Sequence, residues 1–176
     1  MLRARTCLAL FSATILATAL YPSPSGSASA TTPRGYKSTL LAVGRFGEID
    51  ISSSFPPGLK TPANEQLWRS LQETKGSSDV YVQSNVWVPG GSTGWHSHPG
   101  DSLIIVTVGT VTDYDGHDPD CKPHVYTKGM GFVDPSGHTH ILRNEAAVEA
   151  QTIVVQLIPV DAPRRIDVAD PGNCHF

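Results

Sequence analysis

Gly90-Gly91-Ser92-Thr93-Gly94-Trp95-His96-Ser97-His98-Pro99-Gly100-Asp101-Ser102 and Gly129-Met130-Gly131-Phe132-Val133-Asp134-Pro135-Ser136-Gly137-His138-Thr139-His140-Ile141-Leu142-Arg143-Asn144 decide how this chain is read. In a β-strand, residues two apart point to the same face, so His96 and His98 present both imidazoles together. That is the geometry needed to hold one metal ion with two adjacent ligands. A third imidazole from another strand completes a facial triad, and both His138 and His140 are placed to supply it. A three-histidine site with open positions suits Zn, or Fe, Ni, Cu or Mn with bound water.

Together the two stretches resemble the motifs of the cupin superfamily. The first family motif runs Gly, five residues, His-x-His, three or four residues, Glu, six residues, Gly. Here Gly90, His96, His98 and Gly109 match it. The second runs Gly, five residues, Pro-x-Gly, two residues, His, three residues, Asn, and Gly129, Pro135, Gly137, His140 and Asn144 match every element. The resemblance covers residues 90–144. It implies an all-β double-stranded β-helix, or jelly-roll barrel, with one divalent metal ion in its mouth held by His96, His98 and His140. It also implies a structural role for Asn144. One departure stands out: the family's glutamate position is Ser102 here. Asp101 lies one residue away, and a one-residue shift in a strand reverses side-chain direction. Asp101 therefore ligates only if the Pro99-Gly100 turn re-aims it.

Working outward, the flanking sequence is rich in breakers and short β-patterned runs. Leu40 to Ile51 reads as a strand or strand pair. Val80, Val82, Val86 and Val88 fall on one face at period two. Leu103 to Val108, Thr110 to Tyr114, Val125 to Thr127, Gly131 to Val133, His138 to Leu142 and Ala150 to Ile158 follow as further strands. Turn signals recur every 8–12 residues, the pattern of a sandwich or barrel. Asp115 to Asp120 is a polar, turn-rich loop. Asn64 to Thr74 is the one helix candidate, short and N-terminal, with Leu67, Trp68 and Leu71 at helical spacing and Gly76 past its end. Trp87, Trp95 and Phe132 are read equally well as core residues and as pocket lining.

The N-terminus carries a different signal. Arg3 and Arg5 precede an apolar stretch from Cys7 to Leu20, a breaker-rich segment, and Ala28-Ser29-Ala30. This order predicts a secretory signal peptide over 1–30, followed by a single domain over 31–176 that is free of the membrane once cut. Removing Arg3 and Arg5 leaves 11 basic against 16 acidic residues. Such a balance speaks against nucleic acid as a partner, which would call for a basic patch. The mature chain keeps Cys121 and Cys174. In an exported protein these read first as a disulfide, with free thiols or a metal pair as the alternatives.

Fold does not imply function, and the family named above spans enzymes and binders. The reading drawn from the sequence is a secreted metal-binding protein acting on a small organic molecule, dioxygenase-like if it is an enzyme. His138 and Tyr114 are the candidate proton-handling groups. The alternative is a non-catalytic extracellular module for a metal or small ligand, or else a sugar isomerase or epimerase. The resemblance also suggests a homodimer. His117 and His124, beside the acidic loop, are read as solvated.

Overall fold

The computed structural model describes residues 29–55 and 68–176. Among them the strands are β1 (Arg34–Phe46), β2 (Asp50–Phe55), β3 (Trp68–Glu73), β4 (Ser78–Ser92), β5 (His96–Ser97), β6 (Ser102–Val108), β7 (Thr110–Asp115), β8 (His124–Thr127), β9 (Gly131–Asp134), β10 (His140–Arg143), β11 (Ala150–Pro159) and β12 (Ile166–Asp167). Ten of these form one sheet with the path β12-β5-β10-β4-β11-β6-β9, β1 pairing with β4 and β7 joining β10 to β8. The pairings are antiparallel and the sheet curls into a near-closed barrel, the expected jelly-roll architecture. No helix among the described residues is long and apolar enough to cross a membrane. The expected signal segment lies outside the described residues as far as Ala28.

The helix expected over Asn64 to Thr74 is corrected by the structure. Trp68–Glu73 is a strand, paired in register with Asp50–Phe55; residues 64–67 lie outside the described residues. Three apolar positions at helical spacing are a weak local preference, and the hydrogen-bonded ladder offered by β2 overrides it. Leu71, counted towards an apolar helix face, is 72% exposed.

Period-two alternation holds along the barrel strands, and it puts an unexpected set inside. On β4, Gln83, Asn85 and Trp87 are buried, while Val82 and Val86 on the opposite face are only half-buried and Val88 is exposed. On β6, Ser102, Ile104 and Val106 face inward, and Leu103 and Ile105 face out. On β11, Thr152, Val154 and Gln156 are buried. The interior thus has two zones. Trp87, Ile104, Val111, Leu142, Ala150 and Val154 make an apolar core, each large side chain contributing about 1.5–3 kcal/mol by burial. Beyond it, polar side chains line a cavity.

Glycine is required where the first motif ends. Gly109 has φ +66°, and a Cβ there would collide with the Glu149 carbonyl. Gly137 has φ +74°, a left-handed conformation that glycine adopts without a Cβ penalty. Its N–H donates to the His98 carbonyl at 2.8 Å, joining the two motifs directly. Asn144 donates through Nδ2 to the carbonyls of Trp87 and Val148, the structural role expected of it.

Cys121 and Cys174 form the expected disulfide, with Cα atoms 5.3 Å apart. Cys174 is buried with Trp95, Tyr114 and Ile141 in a second apolar cluster outside the cavity. Asn173 Nδ2 donates to the carbonyls of Asp115 and Asp118, so the tail is also hydrogen-bonded to the acidic loop.

A candidate metal centre inside the barrel

His96 lies on β5, His98 one residue beyond it, and His140 begins β10. Backbone pairing places His140 directly opposite His96. All three histidines are buried, at 3%, 8% and 1% exposure. One ring nitrogen from each lies within 4.8 Å of the other two.

The other ring nitrogen of each is already committed. His96 Nδ1 lies 2.9 Å from the Gly94 carbonyl. His98 Nδ1 lies 2.6 Å from the Arg164 carbonyl. A carbonyl oxygen brings no proton, so in His96 Nδ1 carries the hydrogen and Nε2 the lone pair. His98 Nδ1 also lies 3.1 Å from Gln156 Nε2, and the shorter contact to the carbonyl favours the same tautomer there. His140 Nδ1 meets the Asp113 carboxylate at 3.2 Å, the carboxylate–histidine pairing that orients a ligating imidazole and raises its basicity. One ring nitrogen of each histidine thus faces one buried point.

The electrostatics favour a cation there. Burial, reinforced by the neighbouring His140, holds His96 well below the usual histidine range. Burial pushes His98 down to about 4. Burial also opposes charge on His140, but the Asp113 hydrogen bond and the charges of Asp134 and Asp113 outweigh it and raise the group. Protons are therefore kept off two of the rings; the Asp134 carboxyl facing them is itself pushed up by burial, which the charges of His140 and His138 offset only in part.

Polar atoms left without partners test whether these residues suit a metal ion. His140 Nε2 and both carboxylate oxygens of Asp134 are buried with no hydrogen-bond partner. Buried polar atoms without partners are costly and uncommon. Nitrogen and carboxylate donors facing one another are a donor set for Zn and the later first-row divalent ions. The residues fit.

The remaining sequence candidates fall elsewhere. Asp101 is exposed, and its carboxylate accepts the Ser136 N–H at 2.8 Å, so the turn does not re-aim it into the barrel. Tyr114 is on the wrong face of β7. Its neighbours Asp113 and Asp115 sit opposite Leu142 and His140, whereas Tyr114 sits opposite Ile141 in the outer cluster. Its hydroxyl donates to Glu145, 3.0 Å from either oxygen. Both corrections follow from period two: one residue of displacement exchanges inside for outside. His138 lies beside the centre, with Nδ1 3.4 Å from Asp134 Oδ1 and Nε2 3.0 Å from Asp115 Oδ1. Trp87 is core, Trp95 belongs to the outer cluster, and Phe132 packs against the core from its edge. His117 is exposed, as is His124.

Sequence reasoning missed Asp113, Asp134, Gln156 and Arg164. Gln156, Arg164 and Arg165 line the same cavity, of about 150 Å³, as the three histidines. Arg164 Nη1 is buried without a hydrogen-bond partner. The available signal for Gln156 was a polar residue in step with Val154 and Ile158 on an otherwise apolar strand; Arg164 lies between β11 and β12 and carried no such signal.

A family model described as a cupin domain matches residues 86–156. The chain is similar to a solved oxalate oxidase in complex with the substrate analogue glycolate, at 26% identity over 51% of this chain and 46% of that one, with a TM-score of 0.44. It is similar to the polyketide cyclase RemF from Streptomyces resistomycificus, at 21% identity over 52% of this chain and 64% of that one, TM-score 0.44. A structure of DMSP lyases matches at 18% identity over 51% of this chain and 44% of that one, TM-score 0.44. Each match spans less than two thirds of the other protein's length. No curated protein matches in sequence.

Proposed function

This chain belongs to the cupin superfamily, and on that premise we propose that it is an exported metalloprotein that oxygenates a small organic molecule. The observation that carries the reading is the convergence of three buried ring nitrogens on a small cavity. His96, His98 and His140 would hold the ion. A redox-active divalent ion there would supply the Lewis-acid and electron-transfer chemistry that oxygenation needs.

The chain's own residues do the rest. Gly94 and Arg164, through their carbonyls, and Asp113, through its carboxylate, hold the three rings in place. Ile104, Leu142 and Val154 form the apolar side of the cavity and exclude water. The unpartnered Arg164 Nη1 offers a place for an anionic group, which favours a small acid as substrate. His138 is the nearest titratable group that could move a proton to solvent, through its contact with Asp115. The disulfide supports export, since such bonds persist in oxidising compartments. Thr31 is anchored to the fold: its N–H donates to the Val168 carbonyl, and its Oγ1 accepts the Trp95 N–H. The exposed outer row of Leu103, Ile105 and Val133 suits a homodimer contact.

A second reading, a non-catalytic binding module, is favoured by one observation. The cavity lacks a free acid–base side chain, because Tyr114 faces outward and His138 is engaged by two carboxylates. Elemental analysis of the exported protein, then oxygen uptake with small phenols, thiols and carboxylic acids, separates the two. Oxygen consumption that a chelator abolishes supports the enzyme. Metal and ligand binding without turnover supports the module. N-terminal sequencing should begin at Thr31.

A further inference from the structure

Ser102 occupies the position of the family's missing carboxylate, and the structure places another carboxylate across from it. Ser102 on β6 pairs directly with Asp134 on β9. Directly opposed residues of an antiparallel pair project to the same face, with Cβ atoms about 4.5–5.5 Å apart. Both side chains are buried, Ser102 at 1% and Asp134 at 2% exposure.

Asp134 Oδ2 lies 3.4 Å from His140 Nε2 and 3.7 Å from His98 Nε2. Donor atoms about 2.1 Å from a common ion stand roughly 3.0 Å apart at right angles and ~3.4 Å apart at the tetrahedral angle. The first spacing is therefore that of neighbouring donors around one ion, and the second is a few tenths longer. Neither contact is a hydrogen bond, and Oδ2 has no other partner. With Nδ1 of His98 donating to a carbonyl, its Nε2 presents a lone pair to the carboxylate. Lone pairs facing each other in a buried site repel unless a proton or a metal ion lies between them. The remaining oxygen, Oδ1, faces His138, which is itself held by Asp115.

We propose that Asp134 is the carboxylate ligand of the metal centre, taking from β9 the place that the family fills from position 102, with His138 as its positioning residue. The centre is then three histidines and one carboxylate. This rests on the three-histidine reading above. It goes beyond that reading by restoring the negative charge that Ser102 removes.

The test is Co²⁺ affinity, measured by chelator competition on metal-stripped protein, for wild type, Asp134→Asn, Asp134→Ser/Ser102→Glu and His98→Ala. Asp134→Asn should weaken Co²⁺ binding about a hundredfold or more. The double variant, which moves the carboxylate across the strand pair, should bind within about tenfold of wild type. It also keeps the test decisive if Asp134→Asn fails to fold, because a hundredfold loss there overturns the proposal. In stripped protein, Asp134→Asn should shift the urea midpoint little, since it removes both the desolvation of a buried carboxyl and its attraction for His140. A lower midpoint with wild-type Co²⁺ affinity would make Asp134 structural and overturn the proposal. Wild-type affinity in Asp134→Asn together with lost binding in His98→Ala overturns Asp134 alone. No Co²⁺ uptake by wild type at pH 7.5 overturns both readings.

Discussion

Three groups of histidine and carboxylate donors lie side by side among the described residues, one of them (Asp134, His138 and His140) bridging the other two, and those two differ in almost everything except residue type. The inner group is His96, His98 and His140; the outer is Asp115, His117 and His138. Inner rings are buried, and each has one nitrogen committed to a fixed acceptor. In the outer group His117 is exposed, and Asp115 already accepts the His117 backbone N–H at 2.7 Å. His138 belongs to both neighbourhoods, touching Asp134 on one side and Asp115 on the other. The difference teaches what makes a ligand set. Proximity of donors is common on acidic surfaces. Burial combined with a dictated tautomer is not, because the fold must offset the desolvation of every ring in advance.

The largest test of that contrast removes an inner ring. His140→Ala should lower Co²⁺ affinity at least a thousandfold, about 4 kcal/mol, measured by chelator competition. Retained binding would mean that the inner group is not the centre. The next effect concerns the staple beneath the outer group. Replacing Cys121 and Cys174 together by Ser should lower unfolding free energy by about 4 kcal/mol in the chain-entropy model, read from urea melts. Co²⁺ affinity should stay within about threefold, since the bridge packs on the outer cluster and not on the cavity. A parallel loss of affinity would show the two regions to be coupled.

Acid should act through the inner group. His98 sits at about 4 in the folded protein against roughly 6.5 in the unfolded chain. Between those values the unfolded state binds the extra proton, so stability falls as pH falls. His96 is depressed too and acts in the same direction; His140 is raised and acts in the opposite one. His98 alone accounts for about 3 kcal/mol. Metal-stripped protein should therefore show a urea midpoint that drops from pH 7 to pH 4, and drops less in His98→Asn. A flat profile in wild type would contradict burial as the cause. The smallest effect belongs to the outer group: His117→Ala should change Co²⁺ affinity less than about twofold. A tenfold loss would bring that group into the centre.

The barrel itself was legible because its motifs combine a steric requirement with a chemical one. Gly109 and Gly137 need a conformation that other residues resist, Asn144 ties two loop carbonyls, and His96 and His98 share a face whenever the segment is extended. The strands were legible for the simpler reason that period two survives from sequence to structure. Direction did not survive. The valines of β4 look like the core side and are the less buried side, because the barrel interior near the site is reserved for polar groups such as Gln83 and Asn85. Asn64 to Thr74 misled for a related reason: Trp68–Glu73 takes its structure from β2, a partner its own sequence does not specify.

What the sequence by itself determined was the set of local facts: which residues can accept a positive φ, which pairs share a strand face, and which two cysteines are available to bridge. What only the tertiary structure decided was everything set by pairing between strands. His140 rather than His138 was implied only by the family resemblance, and the orientation of the three rings depends on the carbonyls of Gly94 and Arg164 and on the Asp113 carboxylate. Asp101 was displaced by one residue and so faced out, whereas Asp134, 32 positions beyond Ser102 in the chain, came to lie directly across from it. Register between β6 and β9 is fixed by the whole buried face of both strands, so no short stretch of sequence carries it.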